Sequence, residues 1–167
     1  MIHSVNDVAP EEMNAASLAL VEARGSLKGI EYLQKVITGE IPQSPFNSML
    51  GIRLVEATEG RVVAECDVRA DHFNKGGTGH GGFISTLCDN ACGMALDSVS
   101  DEGVSWTTMD LQVRFHKAVR PDATTLRTVG TVIKAGRQVG VTQAEVRTID
   151  GALIATATSS LHVVPKR

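Results

Sequence analysis

The sequence has few cysteines and no long apolar segment. Three of its 167 residues are cysteines, an odd number without a recurring CxxC spacing. This argues against a disulfide framework and fits a reducing compartment. No apolar run reaches the roughly 18 residues that a membrane span needs, and no basic segment followed by an apolar run opens the chain. Without a membrane span or a signal peptide, we expect a soluble, cytoplasmic protein.

An excess of positive charge is also missing. The formal net charge is −3, the isoelectric point is about 5.9, and Lys and Arg are scattered along the chain. Nucleic acids and anionic membrane surfaces require a basic patch, so neither is an expected partner. The chain lacks repeats, and its 43% apolar and 21% charged residues are close to the globular average. A chain of this length can bury one core without disulfides or metals.

Residues 1–45 form a predicted helical N-terminal extension. One helix is expected over the segment MNAASLALVEAR and a second over Ser26–Gly39, where apolar residues recur at near-helical spacing. Pro42 and Pro45 then favour extended backbone, which indicates a connector. The extension has too few apolar residues to fold alone, so we expect it to pack on the domain of residues 46–167 or on a neighbouring subunit.

Alternating apolar residues predict strands from Gly51 onward. Two strands flank Glu59-Gly60, a plausible hairpin turn, and Asp150-Gly151 is the strongest hairpin signal in the chain. Between them, residues 83–99 carry a broad apolar stripe at helical spacing. The outline is strand–strand–central helix–four strands. It predicts an α+β fold with an antiparallel sheet around one long helix.

The strand that follows this helix is predicted to present two different faces. Alternation over residues 104–117 divides their side chains between an apolar face and a polar face. The apolar face would hold Met109, Leu111, Val113 and Phe115, and the polar face Thr108, Asp110, Gln112 and Arg114.

A glycine-rich loop precedes the central helix, with five glycines between residues 76 and 82. It matches neither dinucleotide-binding nor P-loop spacing, which leaves a phosphate cradle as a weak interpretation and a purely structural loop as another. In a third interpretation, Gly81 and Gly82 open the helix with a bare backbone N–H that points at a ligand oxygen. Such a donor stabilises a developing oxyanion without a side chain.

Other candidate groups lie on or near the same helix. Asp89 either faces solvent or acts as a general base whose pKa desolvation raises. His80 is open to three roles, as a base, as a loop organiser or, with His72, as a metal ligand. Cys88 is a weak nucleophile candidate because it lies inside the helix, away from the end that lowers a thiol pKa.

The segment HFNKGGTGHGGFISTLCDNACGMA resembles the signature of hotdog-fold acyl-CoA thioesterases of the phenylacetate-degradation (PaaI-like) type. The later segments TTMDLQVRF and GRQVGVTQAEV resemble strands of the same family, so the resemblance covers roughly residues 45–164. It implies the hotdog fold, a sheet wrapped around one helix. Lys75 stands where the family commonly has proline, and the N-terminal extension is comparatively long.

The resemblance also implies roles for five residues. Asp89 matches the base or nucleophile, and Gly81 matches the oxyanion N–H. Asn74 matches a residue that orients the thioester carbonyl or the water, and Thr108 matches a hydroxyl position that can hold the lytic water. His80 matches a histidine that supports the loop.

Helix geometry adds a constraint that is independent of the family. Gly81 and Asp89 are eight residues apart on one helix, about 12 Å along its axis. An oxyanion donor and a base must both lie about 3 Å from one reacting group. If both residues act, the site lies between two subunits. We therefore expect a homodimer, and the resemblance implies that it pairs further into a dimer of dimers.

The predicted function is hydrolysis of acyl-CoA thioesters to a free acid and coenzyme A. Asp89 either activates water or forms a mixed anhydride, while backbone N–H groups at Gly81 and Gly82 bind the substrate. No metal or redox cofactor is implied, and coenzyme A is part of the substrate. Lys117 and Arg137 are candidates for its phosphates, or simply solvated charges. The alternatives are a non-catalytic acyl-CoA-binding protein and a hotdog dehydratase or hydratase that uses a histidine.

Overall fold

The structure, a computed structural model, describes residues 15–165 and contains four α-helices, a short 3-10 helix (Ala70–His72) and six strands within them. The helices are α1 (Ala15–Gly25), α2 (Gly29–Thr38), α3 (Pro45–Leu50) and α4 (Gly81–Asp97). The strands are β1 (Ile52–Thr58), β2 (Arg61–Asp67), β3 (Val104–Phe115), β4 (Thr125–Ala135), β5 (Val139–Thr148) and β6 (Leu153–Pro165).

All six strands form one antiparallel sheet in the order β1-β2-β4-β5-β6-β3. Both predicted hairpin turns are present, and in each the glycine adopts a left-handed conformation, with φ of 78° at Gly60 and 94° at Gly151. The last of the four strands predicted after α4 is β6, which pairs with β5 on one side and with β3 on the other. As a result, β1 and β3 are the two edges of the sheet.

The concave face of the sheet packs against α4. One side of this helix is fully buried, as its apolar stripe predicts, and Gly130 of β4 allows the closest approach. A methyl group on Gly130 would lie 2.2 Å from the carbonyl oxygen of Ala91, which is far inside van der Waals contact. The predicted α+β fold, a sheet around one long helix, is confirmed.

A β-bulge in β3 makes part of the predicted face assignment wrong. Thr108 pairs with Leu161 of β6 and Asp110 pairs with the next residue, Ser160, so Met109 is an extra residue. The bulge turns Thr108 to the helix side, where its hydroxyl contacts α4, and leaves Met109 56% exposed. An inserted residue reverses the alternation on one side of it, and the sequence pattern carries no trace of that reversal.

The N-terminal helices pack on the body of the same chain. Leu33 of α2 is buried with Leu54, Val62 and Ala95, which belong to β1, β2 and α4. Helix α2 begins at Gly29, three residues after its predicted start, and ends at Gly39 in a left-handed conformation. The first two residues of the predicted MNAASLALVEAR helix lie outside the described residues.

The predicted extended connector is wrong at its end, because Pro45 begins α3. The Ser44 side chain accepts a hydrogen bond from the Asn47 N–H at 3.2 Å, and Pro45 occupies the first helical position, where its missing N–H costs nothing. Gly51 ends the helix with φ of 73°. Across residues 15–165, no helix is long and apolar enough to cross a membrane.

Candidate active site

The beginning of α4 presents a free backbone donor at Gly81. His80 caps the helix, and its Nδ1 accepts a hydrogen bond from the Gly82 N–H at 2.9 Å. The His80 N–H in turn donates to the His72 carbonyl at 2.8 Å. The Gly81 N–H has no acceptor among residues 15–165, while that of Gly82 is already engaged. Of the two predicted glycine donors, Gly81 is therefore the one available to a ligand, at the positive end of the helix dipole.

Asn74 holds the glycine-rich loop in place. Its Oδ1 accepts from the Gly76 N–H at 2.8 Å, and its Nδ2 donates to the Thr78 hydroxyl at 3.1 Å. Its backbone N–H also donates to the Thr78 carbonyl, and the Gly79 N–H donates to the Val119 carbonyl, both at 2.9 Å. An amide nitrogen carries two hydrogens, so one N–H of the Asn74 side chain remains available to a substrate.

Asp89 lies about two turns further along α4, on the side of the helix that the sheet leaves partly open. The Thr108 hydroxyl donates to Asp89 Oδ1 at 2.9 Å. Within the described residues the second oxygen, Oδ2, accepts no hydrogen bond. Asp89 and Asn90 are both half-buried, so this side is neither solvated in full nor closed. The result is a carboxylate held in one orientation with one oxygen free.

The predicted catalytic residues thus form two separate groups within one chain. Gly81, His80 and Asn74 lie at the N-terminal end of α4, and Asp89 with Thr108 lies at its middle. Because α4 is one continuous helix, the two groups are about 12 Å apart along its axis. A single chain does not bring them to one reacting atom.

The two candidate phosphate-binding side chains are also far apart. Lys117 follows Phe115, whose ring lies against Gly81 at the N-terminal end of α4. Arg137 lies in the turn before Gly140, which contacts the Leu96 side chain near the C-terminal end of α4. Both side chains are exposed, and a helix of 17 residues separates these ends by about 25 Å.

The cysteines are unsuited to nucleophilic chemistry. Cys66, Cys88 and Cys92 are all buried and free. Burial raises the pKa of the Cys88 thiol to about 12 and those of the Cys66 and Cys92 thiols to about 11. A thiol with such a pKa is protonated at neutral pH, so the geometry does not support a Cys88 nucleophile.

His72 has a structural role in the loop that the sequence analysis, which considers it only as a metal ligand, does not predict. Its ring is buried and stacks on Phe83 with centroids 3.9 Å apart, and its Nδ1 accepts a hydrogen bond from the Arg69 N–H at 3.1 Å. Burial lowers the pKa of this histidine. The described part of the chain has no cluster of His, Cys, Asp or Glu able to hold a metal ion. In the sequence, the stacked pair is visible only as a histidine and a phenylalanine eleven residues apart, and this spacing does not predict that the two rings stack.

Comparison with known proteins supplies the family. The model of the thioesterase superfamily matches residues 76–155. Acyl-coenzyme A thioesterase 13 of Homo sapiens is 30% identical over 133 residues, which cover 78% of this chain and 94% of that protein. This chain belongs to the thioesterase superfamily. Its predicted activity as a thioester hydrolase is thereby confirmed.

Two solved structures share the fold of this chain. A thioesterase family protein from Silicibacter pomeroyi has a TM-score of 0.72 at 26% identity, covering 80% of this chain and 98% of that one. A Streptococcus mutans UA159 protein, solved with bound acetyl CoA, has a TM-score of 0.64 at 28% identity, covering 70% and 90%. The predicted hotdog fold of this thioesterase chain is confirmed.

Proposed function

We propose that this thioesterase hydrolyses acyl-CoA thioesters to a free acid and coenzyme A. The observation that carries the proposal is the hydrogen bond from the Thr108 hydroxyl to the Asp89 carboxylate on the open side of α4. The human relative, an acyl-coenzyme A thioesterase, supports this substrate class. The Streptococcus mutans protein of similar fold, which was solved with acetyl CoA, supports it as well. The PaaI-like subtype and the cytoplasmic location stay predictions.

In this proposal, the backbone at the beginning of α4 activates the thioester. The carbonyl oxygen accepts a hydrogen bond from the Gly81 N–H, which strengthens as negative charge develops on that oxygen. His80 fixes the first helical turn by accepting the Gly82 N–H, so Gly82 shapes the subsite and Gly81 donates. Asn74 keeps the loop closed and offers its remaining N–H to the substrate.

Asp89 supplies the second half of the chemistry by one of two routes. As a general base, its free Oδ2 takes a proton from water while the water oxygen attacks the carbonyl carbon. As a nucleophile, Oδ2 attacks that carbon itself, and water then cleaves the mixed anhydride. In both routes the C–S bond breaks and the sulfur leaves with its electron pair as the coenzyme A thiolate. It takes a proton from protonated Asp89 in the first route and from solvent in the second to become the thiol. The Thr108 hydroxyl holds the carboxylate in the orientation that both routes need.

The separation of the two groups implies that two subunits complete each site. Gly81, His80 and Asn74 of one subunit would face Asp89 and Thr108 of another, in a homodimer that pairs further into a dimer of dimers. Thr108 lies on β3, a strand of 12 residues that forms one edge of the sheet. Such an edge has unpaired backbone groups that a second copy can bind.

Lys117 and Arg137 are the proposed contacts for the coenzyme A phosphates. Lys117 shares the Gly81 end of α4, so it can bind a phosphate of the substrate whose carbonyl contacts Gly81. Arg137 lies at the other end of α4, so we assign it to a coenzyme A whose thioester binds at Gly81 of the partner subunit. No metal or redox cofactor takes part in this proposal.

Direct measurement of thiol release tests the proposed function. The purified chain is mixed with short-chain, long-chain and aromatic acyl-CoAs and a reagent that detects free thiols. The three buried cysteines of the folded chain should give a low background. We expect turnover with at least one acyl class. Saturable acyl-CoA binding without any turnover would instead support the non-catalytic alternative, and hydration of an unsaturated acyl-CoA would support the hydratase.

A further inference from the structure

Phe115, the last residue of β3, lies against the proposed oxyanion donor but has no part in the mechanism above. A methyl group on the Gly81 Cα would lie 3.4 Å from Cζ of the Phe115 ring and 3.9 Å from Cε1 and Cε2. Three carbons at the tip of the ring therefore surround this position. The ring thus stands about one methyl group away from the Gly81 Cα and forms an apolar wall beside the residue that carries the free N–H.

The alternation of β3 explains why the ring reaches this place. Beyond Met109, the side chains of Leu111, Val113 and Phe115 face the helix. Leu111 and Val113 pack against the main core, but Phe115 lies past its end and is 54% exposed. A single exposed aromatic residue carries no meaning by itself. This one is distinguished by its place beside Gly81, the glycine whose N–H is free.

A carbonyl oxygen bound to the Gly81 N–H brings the rest of the acyl group close to this ring. A hydrogen-bonded oxygen lies about 2.9 Å from the donor nitrogen. The carbon next to the carbonyl then lies a few ångströms from Gly81, on a site that has the phenyl ring as one wall. An unbranched methylene can pack along an apolar wall, whereas a methyl branch that points toward the ring would collide with it.

We propose that Phe115 determines specificity for the acyl group by contacting the carbons next to the thioester carbonyl and disfavouring a branch there. This inference rests on the proposed function, because it requires the acyl carbonyl to bind at Gly81. It identifies a substrate-contacting residue outside the five assigned to the chemistry.

The experiment compares straight and branched substrates. A series of straight acyl-CoAs from butanoyl to hexadecanoyl identifies the best substrate of the wild-type enzyme, which is then compared with its 2-methyl analogue. The measured quantity is the ratio of the two kcat/KM values. Phe115→Ala should lower the preference for the straight chain about 10-fold, the discrimination that one methyl group can provide, and Phe115→Trp should raise it.

A matched control is available in Ile133→Ala. Ile133 is 55% exposed, as Phe115 is, and lies in the β4 bulge, whose neighbouring residues approach the C-terminal end of α4. This control should keep the wild-type ratio. If Phe115→Ala does not fold, Phe115→Leu keeps an apolar side chain in the strand and should shift the ratio about threefold in the same direction.

Two negative results have different meanings. An active Phe115→Ala enzyme with the wild-type ratio would overturn the specificity role and leave the proposed function intact. A wild-type enzyme that hydrolyses no member of the series, nor the aromatic acyl-CoAs, would overturn the proposed function and this inference with it.

Discussion

At the scale of single residues, the account depends on the carboxylate of Asp89. Asp89→Asn keeps the size of the side chain and its hydrogen bond to Thr108 but removes both the base and the nucleophile. We expect kcat to fall by at least about 10²-fold, with KM and acyl-CoA binding little changed. Steady-state kinetics with the best acyl-CoA substrate measure both quantities. Near-normal turnover in the pure variant would exclude Asp89 as the catalytic group.

Thr108 should act through Asp89, which a comparison with its neighbour can show. Thr108→Val removes the hydroxyl that orients the Asp89 carboxylate. We expect kcat to fall about 10-fold, because the carboxylate loses one hydrogen bond from a neutral donor. Thr107→Val makes the same chemical change one position earlier in the strand, where no hydroxyl contact with Asp89 exists. Equal losses in the two variants would mean that β3 is disturbed in general. Thr108→Ser should restore most of the activity.

The buried ring of His72 predicts a dependence of stability on pH. Burial lowers the pKa of this histidine below 6.5 in the folded chain, with the Arg69 charge adding to the effect and the Asp71 charge opposing it. Between the folded and unfolded pKa values the unfolded chain binds more protons, so the free energy of unfolding decreases as pH falls through about 6.5.

Urea unfolding at pH 7.5 and pH 5.5 measures this effect. His72→Leu cannot bind a proton, so the variant should lose less stability than the wild type between the two pH values. His116→Gln, at an exposed position, serves as the control and should behave as the wild type does. An equal loss in His72→Leu and the wild type would show that other groups cause the pH dependence.

At the scale of elements, a partly buried ion pair ties the N-terminal extension to α4. Arg24 of α1 lies 3.2 Å from Asp97 at the C-terminal end of α4 and also donates to the carbonyls of Val104 and Leu27. Burial raises the pKa of Asp97, and Arg24 opposes that shift. The carboxylate also stands at the negative end of the helix dipole. Arg24 is therefore the group that makes a charged Asp97 tolerable there.

Removing this partner should destabilise the fold. We expect Arg24→Met to cost about 2–3 kcal/mol, less than a fully buried pair because the Asp97 side chain is 25% exposed. Asp97→Asn in the same chain should recover part of the loss, which a double-mutant cycle with chemical denaturation measures. Lys35→Met breaks the exposed pair with Glu40 and should cost almost nothing. If the two changes alter the free energy of unfolding additively, Arg24 and Asp97 do not stabilise each other and the role of the ion pair is contradicted.

The elements themselves were largely predictable, because their signals are local. The turn glycines Gly60 and Gly151, the alternation of the strands and the apolar stripe of α4 all act within a few residues along the chain. Helix α3 is not predicted from the sequence, although Ser44 and Pro45 form a helix start, because the two nearby prolines also favour extended backbone. The role of this Ser-Pro pair depends on the residues after it, which the sequence pattern left ambiguous.

The site was predictable only in part, for a physical reason. Asp89 and Gly81 stand out by their place on one helix, and the helical rise alone separates them. The contact between Thr108 and Asp89 depends on the Met109 bulge, and strict alternation through Met109 predicts the opposite face for Thr108. Which glycine N–H is free depends on the orientation of the His80 ring. Both details arise from packing between distant segments.

At the scale of the whole molecule, the central claim is that each active site needs two subunits. In one chain, Asn74 and Gly81 stand at one end of α4 and Asp89 at its middle. Two chains with different lesions can then repair each other. We take Asn74→Ala and Asp89→Asn, each nearly inactive alone, and refold them together in equal amounts. Random pairing makes about half of the dimers mixed, and each mixed dimer has one intact site and one with both lesions.

Hydrolysis of the best acyl-CoA substrate by this mixture is the measurement that tests the account most directly. One intact site in half of the dimers predicts about a quarter of the wild-type activity, if the sites act independently. Native mass spectrometry confirms that mixed dimers have formed. Activity at the level of the single variants, with mixed dimers present, would show that Asn74 and Asp89 serve one site from the same chain and would contradict the shared site.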